Sequence, residues 1–235
     1  MFSRALVRQQ RAGAARFIAA DMREEVKERL SFMQFAPQTA LILGDPTRLL
    51  EEELKGHGTA VSLVEPGTWM AEQPLGGDQV DLVLCDTSLA AINDLPGALL
   101  HLRQALRPGG LLLASILGAG SLQALRSAIL AAEPDRPHSR VHPQIDNRTA
   151  SALLQRAGFA RQVVDSHSLT VRYRRFEALV TDLRDQGLGS VLGHPAPPLL
   201  RSASRRAAQA FTDFADADGR VSERFEIITL TAWKS

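Results

Sequence analysis

Short, unbroken apolar runs alternate along this chain with longer stretches that carry a helical charge pattern. Thr39–Gly44 (TALILG), Thr59–Val64 (TAVSLV), Val80–Cys85 (VDLVLC) and Leu111–Ile116 (LLLASI) are apolar almost throughout. A strand with one wet face alternates apolar and polar residues. A strand covered on both faces stays apolar, so these runs read as buried strands of a parallel sheet. Helical stretches separate them. Residues 14–35 set Arg23, Glu24, Glu25, Lys27, Glu28 and Arg29 between apolar positions, and Thr47–Lys55 carries Glu51, Glu52 and Glu53 on a wet face. Ala98–Leu106, Ser121–Ala132 and Asn147–Gly158 complete the helices of this half, with Asn147 or Thr149 as cap of the last and Gly158 as its end. Strand, helix, strand, helix in this order argues for a mostly parallel α/β sheet.

Past Gly158 the pattern changes. Gln162–Asp165 and Ser168–Tyr173 are strand-like, Phe176–Gln186 and Leu199–Ala215 are helical, Asp216–Gly219 is a turn, and Phe225–Trp233 is a final strand. His194-Pro195-Ala196-Pro197-Pro198 is a stiff connector rather than a domain boundary. The expectation is one domain over 1–235, with an N-terminal helical segment at 1–35 and a helical insertion at 174–220.

The composition narrows the classes of function. The 235 residues, 45% apolar and 23% charged, suffice for a sizeable core. The longest apolar candidate, Gly109–Gly120, is too short for a bilayer and broken by glycine. With 27 basic and 26 acidic residues there is no global attraction to nucleic acid. Only Lys27, Lys55 and Lys234 are lysine, so the other basic residues are arginine, whose forks bind carboxylates and phosphates. Cys85 is the single cysteine, which predicts a reducing, cytoplasmic location. Residues 1–16 carry Arg4, Arg8, Arg11 and Arg16 without an acid, a pattern of transit peptides and of amphipathic first helices alike.

Isolated chemical signals are few. Gly118-Ala119-Gly120-Ser121 is not a nucleophile elbow, and Ser121 reads as a helix cap. His138 and His142 are four apart, but Pro137 and Pro143 oppose a helix presenting both, and no metal site is expected. Asp213, Asp216 and Asp218 miss the spacing of a calcium loop. Arg172, Arg174 and Arg175 beside Tyr173 read as a solvated edge.

One longer motif is specific. Leu106-Arg107-Pro108-Gly109-Gly110-Leu111-Leu112-Leu113 ends a helix with proline and paired glycines and enters an apolar strand. It resembles a hallmark of class I S-adenosylmethionine methyltransferases. Val80-Asp81-Leu82-Val83-Leu84 and Asn93-Asp94-Leu95-Pro96 resemble the strand and helix start that precede it. The subgroup they point to contains the methyltransferase of biotin synthesis and the methyltransferase-like assembly factors of respiratory complex I. Gly118–Leu122 with Leu125-Arg126, Leu153–Phe159, Val164-Asp165, Val171–Tyr173, Asp182-Leu183 and Ala232-Trp233-Lys234 are similar to the latter. So are Phe2–Leu6 and Arg11-Ala12, which favours the amphipathic helix at the N-terminus. The resemblance implies a Rossmann-like α/β fold with a mostly parallel sheet and an antiparallel C-terminal strand.

It also implies where S-adenosylmethionine would sit. The family's glycine-rich turn, D-x-G-x-G-x-G, corresponds to Ile42–Arg48. Only Gly44 survives; Ile42 stands at the acid, Pro46 removes an N–H donor, and Arg48 brings a long side chain. Asp45 adds a negative charge near the donor's carboxylate. Glu65 matches the acid that binds the ribose hydroxyls. Cys85, at the end of its strand, completes the cofactor-binding positions, although by itself it reads as a small core residue. The interval from Glu65 to Val80 is shorter than in the family, so strand three and its acid are largely deleted, with Pro74-Leu75 as remnant. Ala90-Ala91 replaces a His-Trp or similar pair and can neither transfer a proton nor stack. Two readings follow: a methyltransferase-family protein with a damaged donor site, or a non-catalytic scaffold or assembly factor for a protein partner. Nucleic-acid binding through arginines is the weakest reading.

Overall fold

The structure, a computed structural model, describes residues 16–235 apart from 46, 66–67, 70, 72, 87–88, 91, 136, 191 and 193–195. The arginines at 4, 8 and 11 therefore lie outside the described residues. The chain runs α1 (Phe17–Phe32), β1 (Thr39–Leu43), α2 (Leu49–Gly56), β2 (Ala60–Val64), β3 (Val80–Cys85), α3 (Leu95–Ala105), β4 (Leu106–Leu117), α4 (Gln123–Ala132), α5 (Asn147–Arg156), β5 (Phe159–Tyr173), α6 (Phe176–Asp185), α7 (Arg201–Thr212) and β6 (Val221–Lys234). The strands form one sheet of order β2-β1-β3-β4-β6-β5. β2, β1, β3 and β4 pair in parallel, and β6 is antiparallel to both β4 and β5. The expected α/β, Rossmann-like fold with its antiparallel C-terminal strand is what the chain adopts. No helix among the described residues is long and apolar enough to cross a membrane.

Strand periodicity distributes the core. Ala40, Ile42, Leu82, Leu84, Leu111 and Leu113 face α1 and α2 and pack on Met22, Val26, Leu50 and Leu54. Their neighbours Leu41, Leu43, Val83, Leu112 and Ala114 face α3 and α5 and pack on Leu99, Leu102 and Leu154. Both faces of β1, β3 and β4 are covered, which is why those runs are continuously apolar; β2, expected to be buried as well, exposes Ala60 and Ser62 because it is the last strand in the sheet order. A third cluster joins Phe225 and Ile227 of β6 to Leu125, Leu179, Leu183 and Phe211 of α4, α6 and α7. Each such leucine or phenylalanine, fully buried, contributes roughly 1.5–3 kcal/mol.

Several boundaries depart from the sequence reading. β4 begins at Leu106, ahead of the proline-glycine motif, because Val80 pairs with Leu106 before Leu82 pairs with Leu111. Residues 107–110 bulge between those pairs. Gly109 has φ +79°, and a Cβ on Gly110 would lie 2.9 Å from the Arg107 carbonyl oxygen. The paired glycines are therefore a requirement of the bulge. The two strand-like pieces after Gly158 are one strand: Ser166 and His167 keep pairing, with Ile228 and Ile227. β5 is an edge strand that exposes alternate residues, so polar residues within it do not end it.

The caps differ too. α5 is capped by Asp146, which accepts from Thr149 N at 2.7 Å, rather than by Asn147 or Thr149. Asp94 caps α3 through Gly97 N at 2.9 Å. Ser121 does not cap α4. Its Oγ donates to Glu226 O at 3.3 Å and accepts from Glu226 N at 2.8 Å. The free N–H groups of α4 go instead to the carboxylate of Glu223 on β6, with Leu125 N at 2.8 Å and Ala124 N at 3.3 Å. Glu223 is 1% exposed, and burial raises its pKa despite those donors.

Candidate functional site

In an open parallel sheet, ligands bind outside the carboxyl ends of the strands. Here that crevice is edged by the ends of β1, β2 and β3, where the sequence put its candidates. Gly44 leaves β1 at φ +79° and its N–H donates to Val64 O at 3.1 Å, tying β1 to β2. The positive φ explains why a glycine stands here. Asp45 is 4% exposed, and both of its oxygens are engaged. Oδ1 accepts from Thr47 Oγ1 at 3.0 Å and Oδ2 from Glu51 N at 3.0 Å, so Asp45 satisfies the N-terminus of α2.

Arg48 begins α2 from the left-handed region, with φ +58°. Its Nη1 donates to Glu51 Oε2 at 3.1 Å, and its Nη2 pairs with Glu65 at the end of β2. The structure thus brings together two candidates that are 17 residues apart in sequence. The Glu65 backbone turns sharply, its carbonyl accepting from Thr68 N at 3.1 Å and Thr68 Oγ1 at 2.7 Å. Cys85 is 0% exposed and packs within the core over β3, where burial pushes its thiol well above the ordinary range. Pro46 and Ala91 lie outside the described residues. Ala90 is partly buried between two core clusters, and Leu75 packs on the core against α3 and α5.

Two buried polar groups near this crevice escaped the sequence reading. Asp86 follows β3 directly and is 3% exposed, its N–H 3.3 Å from Leu43 O. The signal was an acid at the end of an apolar strand. In the sequence His142 stands out only as a candidate metal ligand. It is 9% exposed, and its Nε2 lies 3.1 Å from Ile92 O, so that nitrogen carries the proton. Burial lowers its pKa. His138 is engaged elsewhere, with Glu133 at 3.2 Å. Of that basic edge, Arg172 is drawn to the acidic turn, to Asp216 and to Asp218 at 3.1 Å.

The arginine-hydroxylase NDUFAF5, mitochondrial, of Danio rerio is 30% identical over 68% of this chain and 51% of its own length. The malonyl-[acyl-carrier protein] O-methyltransferase of Xylella fastidiosa is 32% identical over 68% of this chain and 54% of its own. The chain belongs to the class I S-adenosylmethionine methyltransferase family. It spans about half the length of these curated relatives. No family model matches it. A crystal structure from Bacillus halodurans assigned as a methyltransferase shares the fold, with a TM-score of 0.51 and 17% identity over 88% of this chain and 99% of that one.

β1 has β2 on one side and β3 on the other, and among the described residues β2 ends the sheet. Among the described residues between Val64 and Val80 there is no strand.

Proposed function

We propose that this methyltransferase-family chain works without methyl transfer, as a scaffold or assembly factor that contacts a protein partner in a reducing, cytoplasmic setting. The observation that carries the reading is the ion pair between Arg48 and Glu65. Glu65 stands where the ribose acid of the family belongs, and its charge is spent on a guanidinium from the turn that should receive the methionine part of the donor. Asp45 is equally committed, to the first turn of α2. Arg48, Glu65 and Asp45 are committed to partners within the chain, so they do not present the family's ordinary contacts to S-adenosylmethionine. The scaffold role rests on the resemblance and on this internal closure. The relatives named above are named as enzymes, and their activities are not carried over to this chain.

The test is calorimetric titration with S-adenosylmethionine and S-adenosylhomocysteine. The expected result is no binding up to millimolar ligand. Binding at micromolar strength overturns the proposal and supports the second reading, which retention of Glu65 favours. In that reading Arg48 leaves Glu65 and pairs with the donor's carboxylate, and the chain remains a donor-binding protein.

A further inference from the structure

A second cleft lies at the opposite end of the sheet from the donor crevice. It has a volume of about 680 Å³ and separates the last turns of α1 from β5 and β6. Its apolar walls are Phe32 and Met33 at the end of α1, Val163 of β5 and Trp233 of β6. Trp233 pairs with Leu111, where the apolar run of β4 begins, so the cleft stands at the amino ends of the parallel strands. Phe32 is 91% exposed, so the fold does not use its ring for packing. The charges around the cleft leave a negative surplus. Arg29 is engaged on every arm: Nε donates to Glu25 at 2.6 Å, Nη1 to Thr231 Oγ1 at 2.9 Å and Nη2 to Asp165 at 2.5 Å. One guanidinium thus serves two carboxylates. Glu28, on the same wall, has no ion pair among the described residues. The last turn of α1 adds the carbonyl end of the helix dipole. The ring of Trp233 already attracts a cation, for Arg161 Cζ lies 5.1 Å from its centroid. Arg161 is not one of the cleft's walls, so the part of the ring that faces the cleft stays open.

We propose that this cleft binds a small molecule made of an apolar body and an alkylated ammonium head, at a site separate from the donor crevice. The body lies on Met33 and Val163. The head meets the rings of Phe32 and Trp233 and the carboxylate of Glu28. Each alternative leaves something unanswered. An anion is repelled by the acidic surplus. A neutral apolar molecule fills the walls but offers nothing to Glu28 or to the helix dipole. A primary ammonium is a compact, strongly hydrated charge that rings cover poorly. Alkyl groups on the nitrogen spread the charge over a larger, weakly hydrated surface, and this is the form of cation that aromatic side chains receive best.

The experiment uses the whole chain and follows its two indole N–H signals by NMR, since Trp69 and Trp233 are the only tryptophans. Trp69 follows the turn at Glu65 and reports on the donor crevice, and Trp233 reports on the cleft. The probes are choline, the neutral alcohol in which carbon replaces its nitrogen, and benzyltrimethylammonium, whose apolar body is larger. Both cations should shift Trp233 saturably and leave Trp69 in place. Benzyltrimethylammonium should be the tighter, with half-saturation at about 1 mM or below. The neutral alcohol should bind at least about tenfold more weakly than choline. Glu28 and Phe32 are exposed, so Glu28→Gln and Phe32→Ala should melt close to wild type. Each should weaken benzyltrimethylammonium about fivefold. A neutral alcohol as tight as choline, a shift of Trp69 alone, no saturation by either cation, or full affinity in either variant overturns the proposal.

Discussion

Arg48 is a non-glycine residue at φ +58°, a backbone conformation that favours glycine. The left-handed region costs such a residue about 1 kcal/mol or more. Against this stand two ion pairs, with Glu51 at 3.1 Å and with Glu65. The Arg48 side chain is 54% exposed and that of Glu65 37%, so solvent screens the pair and it stabilises by about 0–1 kcal/mol. The two effects nearly cancel. Arg48→Ala removes the guanidinium and keeps the strained backbone. Arg48→Gly removes the guanidinium and the strain together. The difference between the two variants isolates the backbone. The glycine variant should be the more stable by about 1 kcal/mol, or roughly 2–4 °C in melting temperature for a domain of this size. Thermal and urea unfolding of both proteins check it. An alanine variant as stable as the glycine variant would refute the strain. A glycine variant several kcal/mol below wild type would refute the weakness of the ion pair. If both expectations hold, stability does not account for an arginine here, and its role lies in the crevice.

Two further outcomes follow from other sites. Glu223→Ala strips the acceptor from Ala124 N and Leu125 N at the buried start of α4. Lost capping and unsatisfied donors together should cost about 3 kcal/mol, seen in urea unfolding, whereas Glu223→Gln keeps an oxygen and should cost under about 1. Because the Glu223 pKa is raised in the fold, its contribution is full at acid pH and falls as pH rises through the folded value, so wild type should lose ground to Glu223→Gln from acid to neutral pH. Equal effects of the two substitutions would count against the cap. Glu133 is the opposite case: hydrogen bonding to Arg140 lowers its pKa to about 2. Its stabilisation is complete above the ordinary carboxylate range and is lost as pH falls towards that value. Arg140→Ala should therefore flatten the acid limb of melting temperature against pH, and an unchanged limb would show the pair to be idle.

Much of the architecture was legible in the residues because it rests on local repetition. Continuous apolar runs required strands covered on both faces, helical charge spacing required the layers that cover them, and the proline and paired glycines marked the entry to β4. The same residues named the family. The candidate site was legible only as a set of positions. Gly44, Asp45, Arg48 and Glu65 all come to the carboxyl ends of β1 and β2, but no pattern in the sequence says that Asp45 serves α2 or that Arg48 reaches Glu65. Ser121 had the right residue type and spacing for a cap, yet Glu223, 98 residues from Leu125, took that place. Periodicity and turn chemistry act between near neighbours, so the sequence by itself determined the elements, their order and the sheet type. Ion pairs, remote caps and the place of β2 at the end of the strand order depend on which elements pack side by side, and only the tertiary structure decided those.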